Sequence, residues 1–174
     1  MSDDVIRSDR LDLTVLTPKL LQLVLRGDAA ELQRALGVHV PAGWCSGVPA
    51  RRRLAQLADD RNEQPWLVRA VVHRDQQEVV GHIGFHAPPR GGRVEIGYEI
   101  MPGHRRKGYA IEAARALTGW AHGTGLAAIC VACIRPDNTA SLALAGTLGF
   151  HRVGTRNDAA DGLELVHERT LPVA

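Results

Sequence analysis

Leu11, Leu13 and Val15 alternate with Asp12 and Thr14, a period of two that predicts a strand with one buried face. Thr17-Pro18 then supplies an N-cap and a first-turn proline, and the run to Arg26 has helical spacing. Asp28 is placed to cap a second short helix ending near Gly37. Residues 40 to 49, V-P-A-G-W-C-S-G-V-P, predict a loop before a helix over 51–60. From Trp66 the period shortens. Residues 66–73 and 78–86 flank the polar turn R-D-Q-Q and predict a hairpin, and R-V-E-I-G-Y-E-I at 93–100 is the next strand. Ala110, Ala114, Leu117 and Ala121 recur at helical spacing, which predicts a helix over 108–122. The continuous apolar run 126–133 predicts a strand buried on both faces. Asn138 caps a helix through Leu148 that Gly149 ends, and 150–154 and 163–170 predict two last strands around N-D-A-A-D-G.

The order β, αα, α, ββ, β, α, β, α, ββ predicts a mixed α/β sheet, parallel where helices intervene and antiparallel at hairpins. With 174 residues and no linker of domain size, one domain over 1–174 is expected. Hydrophobic residues at 45% and charged residues at 23% fit a soluble globular chain. A net charge of +2 gives no bulk attraction to nucleic acid. The polar N-terminus lacks a secretory apolar run, and no stretch is long enough for a bilayer, so a cytoplasmic protein is expected, with no membrane partner. Cys130 and Cys133 have C-x-x-C spacing but fall in a strand on opposite faces, as core thiols rather than metal ligands. No metal site is expected.

R-R-K-G-Y-A at 105–110 lies where a strand pattern gives way to a helical one. A glycine at a helix mouth lets the backbone approach a ligand. The first amides of that helix have no internal partner and face outward at the positive end of its dipole, which suits phosphate. Arg105, Arg106 and Lys107 add charge at the rim. The hexapeptide alone is weak evidence, since the chain is rich in Arg, Gly and Ala; its placement strengthens it.

The stretch V-E-I-G-Y-E-I-M-P-G-H-R-R-K-G-Y-A-I-E-A-A-R-A-L resembles the acetyl-coenzyme A signature of the GNAT N-acetyltransferase superfamily. R-S-D-R-L-D-L-T-V-L-T-P, R-P-D-N-T-A-S-L-A-L-A-G-T-L-G-F and D-G-L-E-L-V-H-E-R-T-L resemble further segments of its RimJ/RimL branch, in the right order. The resemblance implies the GNAT fold, a mostly antiparallel sheet flanked by helices and splayed between its fourth and fifth strands, often at a bulge that Gly97 can host. It implies acetyl-CoA as acyl donor, with pantetheine in the gap. By that resemblance Ile100 and Met101 meet pantetheine and the thioester through their backbone, the amides from Arg106 through Lys107, Gly108 and Tyr109 to Ala110 hold the pyrophosphate, and Asn138 bonds the pantetheine arm.

Acetyl transfer to an amine requires a neutral amine, a stabilised thioester oxyanion and a proton for the departing thiolate. Glu95 sits where the superfamily often keeps its base, with Glu99 on the same strand face. The family's usual acid, a tyrosine seven residues after the asparagine, is Ala145 here. Ser141 is what the RimJ/RimL-like branch has one turn after Asn138, either as proton donor or as a cofactor contact. Tyr98 is expected in the core. Acceptor contacts are expected from Trp44, His82 and His167. The acceptor is a protein N-terminal amine or a small amine, the acyl group is acetyl or longer, and a homodimer is left open. The rival function is a non-catalytic acyl-CoA sensor or scaffold.

Overall fold

The computed structural model describes residues 4–160 and 162–172. Eight strands form one sheet: β1 (Val5–Arg7), β2 (Leu11–Val15), β3 (Arg69–His73), β4 (Glu78–Phe85), β5 (Arg93–Ile100), β6 (Ile129–Ile134), β7 (His151–Asp158) and β8 (Gly162–Thr170), in the spatial order β1-β2-β3-β4-β5-β6-β8-β7. Every pairing is antiparallel except β5 with β6. The helix α5 (Tyr109–Gly123) makes that one crossover.

Side-chain alternation sends the apolar residues of each strand to two cores. Leu11, Leu13, Val71, Ile83, Phe85 and Ile96 pack beneath α5, where Ala113, Ala114, Leu117 and Ala121 form its buried stripe. Leu16, Ala70, Val72 and Val79 pack on the other face, beneath α1 (Pro18–Arg26), α2 (Ala29–Leu36), α3 (Trp44–Gly47) and α4 (Ala50–Asp59). Among the described residues no helix is long and apolar enough to cross a membrane.

Local chemistry sets the helix ends. Thr17 Oγ1 accepts from the Leu20 amide ahead of Pro18, Asp28 Oδ1 accepts from the Glu31 amide, and Gly27 and Gly37 end α1 and α2 at positive φ. Asn138 likewise caps α6 (Thr139–Thr147), its Oδ1 3.1 Å from the Ser141 amide. Glu112 fixes the start of α5: it accepts from Ser8 Oγ and from the Arg10 amide and guanidinium, each at 2.7 Å.

Several elements differ from the sequence pattern: Val5–Arg7 adds a strand ahead of the expected first one, so the expected fourth and fifth strands are β5 and β6, and the strand expected from Trp66 begins at Arg69 because Arg61–Trp66 makes a 3-10 stretch. The strand expected from 126 begins at Ile129, because Gly125 turns the chain at φ 74 and Leu126 is left exposed. That strand alternates between buried and half-buried rather than being buried throughout. The last hairpin extends through Asn157 and Asp158, polar residues whose backbone still pairs with β8. Within the expected 40–49 loop, Trp44–Gly47 makes one helical turn.

Gly84 lies against the chain entering β3, where an added Cβ would stand 2.5 Å from the Leu67 carbonyl oxygen and 2.8 Å from Val68 Cα. Both are backbone atoms, so Gly84→Ala is expected to cost about 1–3 kcal/mol. The measurement is the urea midpoint, with a Tm lowered by roughly 2–4 °C per kcal/mol.

Candidate active site

β5 and β6 pair only over Arg93↔Ile129, Val94↔Cys130 and Glu95↔Val131. Beyond that they part, while β5 stays in regular register with β4 from Phe85↔Ile96 to Gly81↔Ile100. No bulge forms at Gly97, contrary to the expectation; register shifts lie instead in the β3–β4 pair, at Val71/Val72, and in the β7–β8 pair, at Arg152/Gly154. The split thus leaves one edge of β5 open.

Which groups line that edge follows from alternation. The Met101 amide donates to Val80 O at 2.9 Å and the His86 amide to Glu95 O at 2.8 Å, so odd-numbered residues face β4. Ile96, Tyr98 and Ile100 therefore turn their amides and carbonyls into the gap. The Ile100 carbonyl accepts from Arg105 Nε at 2.9 Å. Met101 is corrected as a pantetheine contact: its amide is committed to β4, and the residue lines a neighbouring trough.

Two cavities follow the gap and share Tyr98, Asn138, Ser141 and Leu144 as walls. The larger, about 690 Å³, runs to the start of α5 past Ile100, Arg105, Arg106, Gly108, Tyr109 and Ala110. There Arg106 (φ 61) and Gly108 (φ 83) both lie in the left-handed region, a conformation that turns successive amides the same way. Arg106 has a Cβ, and its position there is strained. Among the described residues, the amides from Arg106 to Ala110 bond to no backbone carbonyl, and no side chain caps α5. This concavity fits a diphosphate. Lys107 is exposed and lines neither cavity, so the expected contact rests on its amide alone. The Tyr109 side chain is core, with the Arg10 guanidinium over its ring and His73 meeting it edge-on.

The deeper cavity, about 330 Å³, is bounded by Tyr98, Ser141, Ala145, Gly97, His86 and Cys133, with other walls that are mostly apolar. Tyr98 OH donates to Ser141 Oγ at 3.1 Å. Burial pushes the phenol up against the opposing effect of that bond, which keeps it a proton donor. Tyr98 is thus a wall of the site rather than only core, and Ala145 leaves the space where the family's tyrosine would stand. Burial raises the thiols of Cys130 and Cys133 to about 12. Among the described residues no group of His, Cys, Asp and Glu is placed to hold a metal.

Glu95 is not a free base. Its two oxygens each accept from Arg156 at 2.9 Å, and Oε1 lies 3.1 Å from His86 Nδ1. Burial alone would raise this carboxyl, but the hydrogen bonds and charges of His86 and Arg156 prevail and hold it at about 2. Arg156 also grips Glu164 Oε2 at 2.7 Å. Sequence pattern gave no sign of Arg156, Glu164 or His86, because three separate strand ends bring them together.

The third space is a trough of about 330 Å³ between β4, β5 and α3, with Gly47, Gly81, His82, Glu99 and Met101 along it. Glu99, half exposed, also borders the larger cavity. Burial, then Arg53, lowers His82 to about 4, so its imidazole is neutral at pH 7. Trp44 lies at the trough's base but is fully buried, its Nε1–H donating to Gly81 O at 3.0 Å; it acts as packing, not as a free contact. His167 sits on β8 opposite Ala132 and borders none of these spaces.

Comparison with known proteins adds to this geometry. Residues 10–151 match the acetyltransferase (GNAT) domain family. The chain is 29% identical to the uncharacterized N-acetyltransferase YjdG of Bacillus subtilis over 153 residues, 84% of this chain and 89% of that one. Among solved structures it is similar to RimL, a ribosomal L7/L12 α-N-protein acetyltransferase in complex with coenzyme A (TM-score 0.67, 23% identity, 98% of this chain and 99% of that one). It is also similar to the ribosomal-protein-S5-alanine acetyltransferase of Vibrio fischeri (TM-score 0.67, 13% identity, 95% and 96%).

The Glu95–Arg156 pair has a consequence for acid stability. A folded pKa of about 2 against about 4.3 in the unfolded chain contributes stability that is complete above pH 4.3 and lost as pH falls towards 2. Arg156→Ala is expected to lower the urea midpoint at pH 6 and to flatten its fall between pH 4.5 and 2. Parallel profiles for the two proteins would show that the pair contributes nothing.

Proposed function

Since the chain belongs to the acetyltransferase (GNAT) family and is an acetyl-CoA-dependent N-acetyltransferase, we propose that acetyl passes directly from the thioester to the primary amine of a peptide N-terminus lying in the trough beside Glu99. One observation carries this: the split between β5 and β6 joins an amide cradle at one end to a hydroxyl pair at the other.

In this reading the diphosphate sits on the amides of Arg106 to Ala110, with Arg105 and Arg106 at its rim. The pantetheine arm pairs with the open edge at Tyr98 and Ile100 and passes Asn138. The thioester then lies beside Ser141. The ammonium releases one proton to water; as the neutral amine it attacks the carbonyl carbon and loses a second proton as the carbon–sulfur bond breaks. Sulfur takes a proton from the Ser141 hydroxyl, which Tyr98 replenishes through the 3.1 Å bond before regaining its own from water. Glu99, on the wall common to the trough and the coenzyme cavity, attracts the incoming ammonium. The trough is open, so the residues behind an N-terminal amine can trail out along it. All of this lies within one unit spanning 1–174, working in the cytoplasm.

Ser141→Ala is expected to lower kcat by about 10²-fold with coenzyme A affinity unchanged, and Tyr98→Phe by less. A change in affinity alone would make Ser141 a mere contact. Gly108→Val places a branched side chain at φ 83 over the cradle, and calorimetry should show the coenzyme A dissociation constant raised at least about tenfold. The acceptor is tested by thiol release from acetyl-CoA with free-amine tetrapeptides and, separately, spermidine and amino acids. Higher kcat/KM with peptides is expected; turnover with small amines only would reassign the acceptor. Tight coenzyme A binding without any release would favour the scaffold function.

A further inference from the structure

The turn between β4 and β5 carries a histidine whose surroundings are unusually fixed. The His86 amide donates to Glu95 O at 2.8 Å. Its carbonyl accepts from Arg53 Nη1 at 3.0 Å and from Gln56 Nε2 at 2.9 Å, both on α4. The backbone is therefore held from the sheet and from the helix at once. In the ring, Nδ1 lies 3.1 Å from Glu95 Oε1. Glu95 is ionised through its two bonds with Arg156 and can only accept, so in the neutral ring Nδ1 carries the hydrogen. The lone pair is left on Nε2.

Nε2 has a defined position too. It lies over Gly97, 2.7 Å from the point that a Cβ there would occupy. Only a glycine lets the ring come this close. Among the described residues no protein group bonds to Nε2, and His86 borders the same cavity as Tyr98 and Ser141. The cavity thus has a proton donor on one wall and an unengaged acceptor on another.

We infer that His86 Nε2 is the base that takes the proton from the attacking amine, and that Glu95 is a positioning residue that fixes the imidazole and its tautomer. This rests on the acetyl-transfer reading above. The nitrogen lone pair forms the C–N bond as an N–H proton passes to Nε2, and the C–S bond breaks with its electron pair on sulfur. Sulfur is then protonated from the Ser141–Tyr98 pair, the half-exposed imidazole returns its proton to water, and the pair regains a proton from water. The charged and titratable groups around His86 are Arg93, Glu95 and Tyr98 on β5, Arg156 on β7, Glu164 on β8, Cys133 on β6 with Arg135 just beyond it, and Arg53 on α4, with Arg90 in the turn.

The test is thiol release from acetyl-CoA with a tetrapeptide bearing a free N-terminal amine, followed from pH 5.5 to 9. His86→Gln should lower kcat by about 10²-fold, remove the ascending limb that an imidazole base imposes, and leave coenzyme A affinity within twofold. Glu95→Gln should lower kcat by about tenfold, because the imidazole loses the partner that fixes its tautomer, and keep the limb. In His86→Gly, added imidazole should restore part of the rate. Loss of the limb in Glu95→Gln with the limb intact in His86→Gln would return the base role to Glu95 and overturn the inference. So would a folded His86→Gly that imidazole does not rescue. Wild-type protein that binds coenzyme A but releases no thiol with this peptide or any amine would sink the transfer reading as well.

Discussion

A strand edge buried without partners is costly, because each amide or carbonyl removed from water needs a hydrogen bond. The chain meets this on one side of β5 with β4 and leaves the other side open after Glu95. The two cavities of the candidate site are arranged along that opening. The α5 crossover starts at one end of it, α6 flanks its middle, and the His86 turn closes the other end. In the proposed reading, a ligand with amides of its own completes the sheet where the protein does not.

Holding two strands apart needs a brace, and the brace is ionic. Arg156 on β7 reaches across β8 and β6 to Glu95 on β5 while also holding Glu164. Glu95 sits at the last paired rung, just before the strands diverge, and Arg156 and Glu164 face each other on β7 and β8. Breaking such a pair leaves an uncompensated, partly buried charge, so its partners are kept together more strongly than their net contribution to stability implies. The same carboxylate that closes the sheet there also orients the imidazole.

Period and punctuation made the fold legible: Leu11–Val15, the Thr17-Pro18 cap, the apolar stripe of α5 and the Asn138 cap all lie where local pattern places them. The helix mouth at 105–110 was legible for the same reason, since a glycine ahead of a helical pattern is a local feature. Side-chain partnerships between distant segments were not. Glu95 looked like a free carboxylate because Arg156, 61 residues away, cannot be assigned to it from spacing. Tyr98 looked like core because its hydroxyl's partner, Ser141, lies 43 residues on. Trp44 looked like an exposed loop aromatic until one helical turn folded it under β4.

The bond between Tyr98 and Ser141 joins β5 to α6 across the mouth of the gap. A donor built from two elements in this way differs from one carried on a single helix. Its strength depends on the width of the opening, and so, in the proposed reading, do the contacts made to the coenzyme arm. On that reading substrate seating and readiness to protonate the leaving sulfur are governed by one dimension of the molecule, and any remote change that widens or narrows it alters both together.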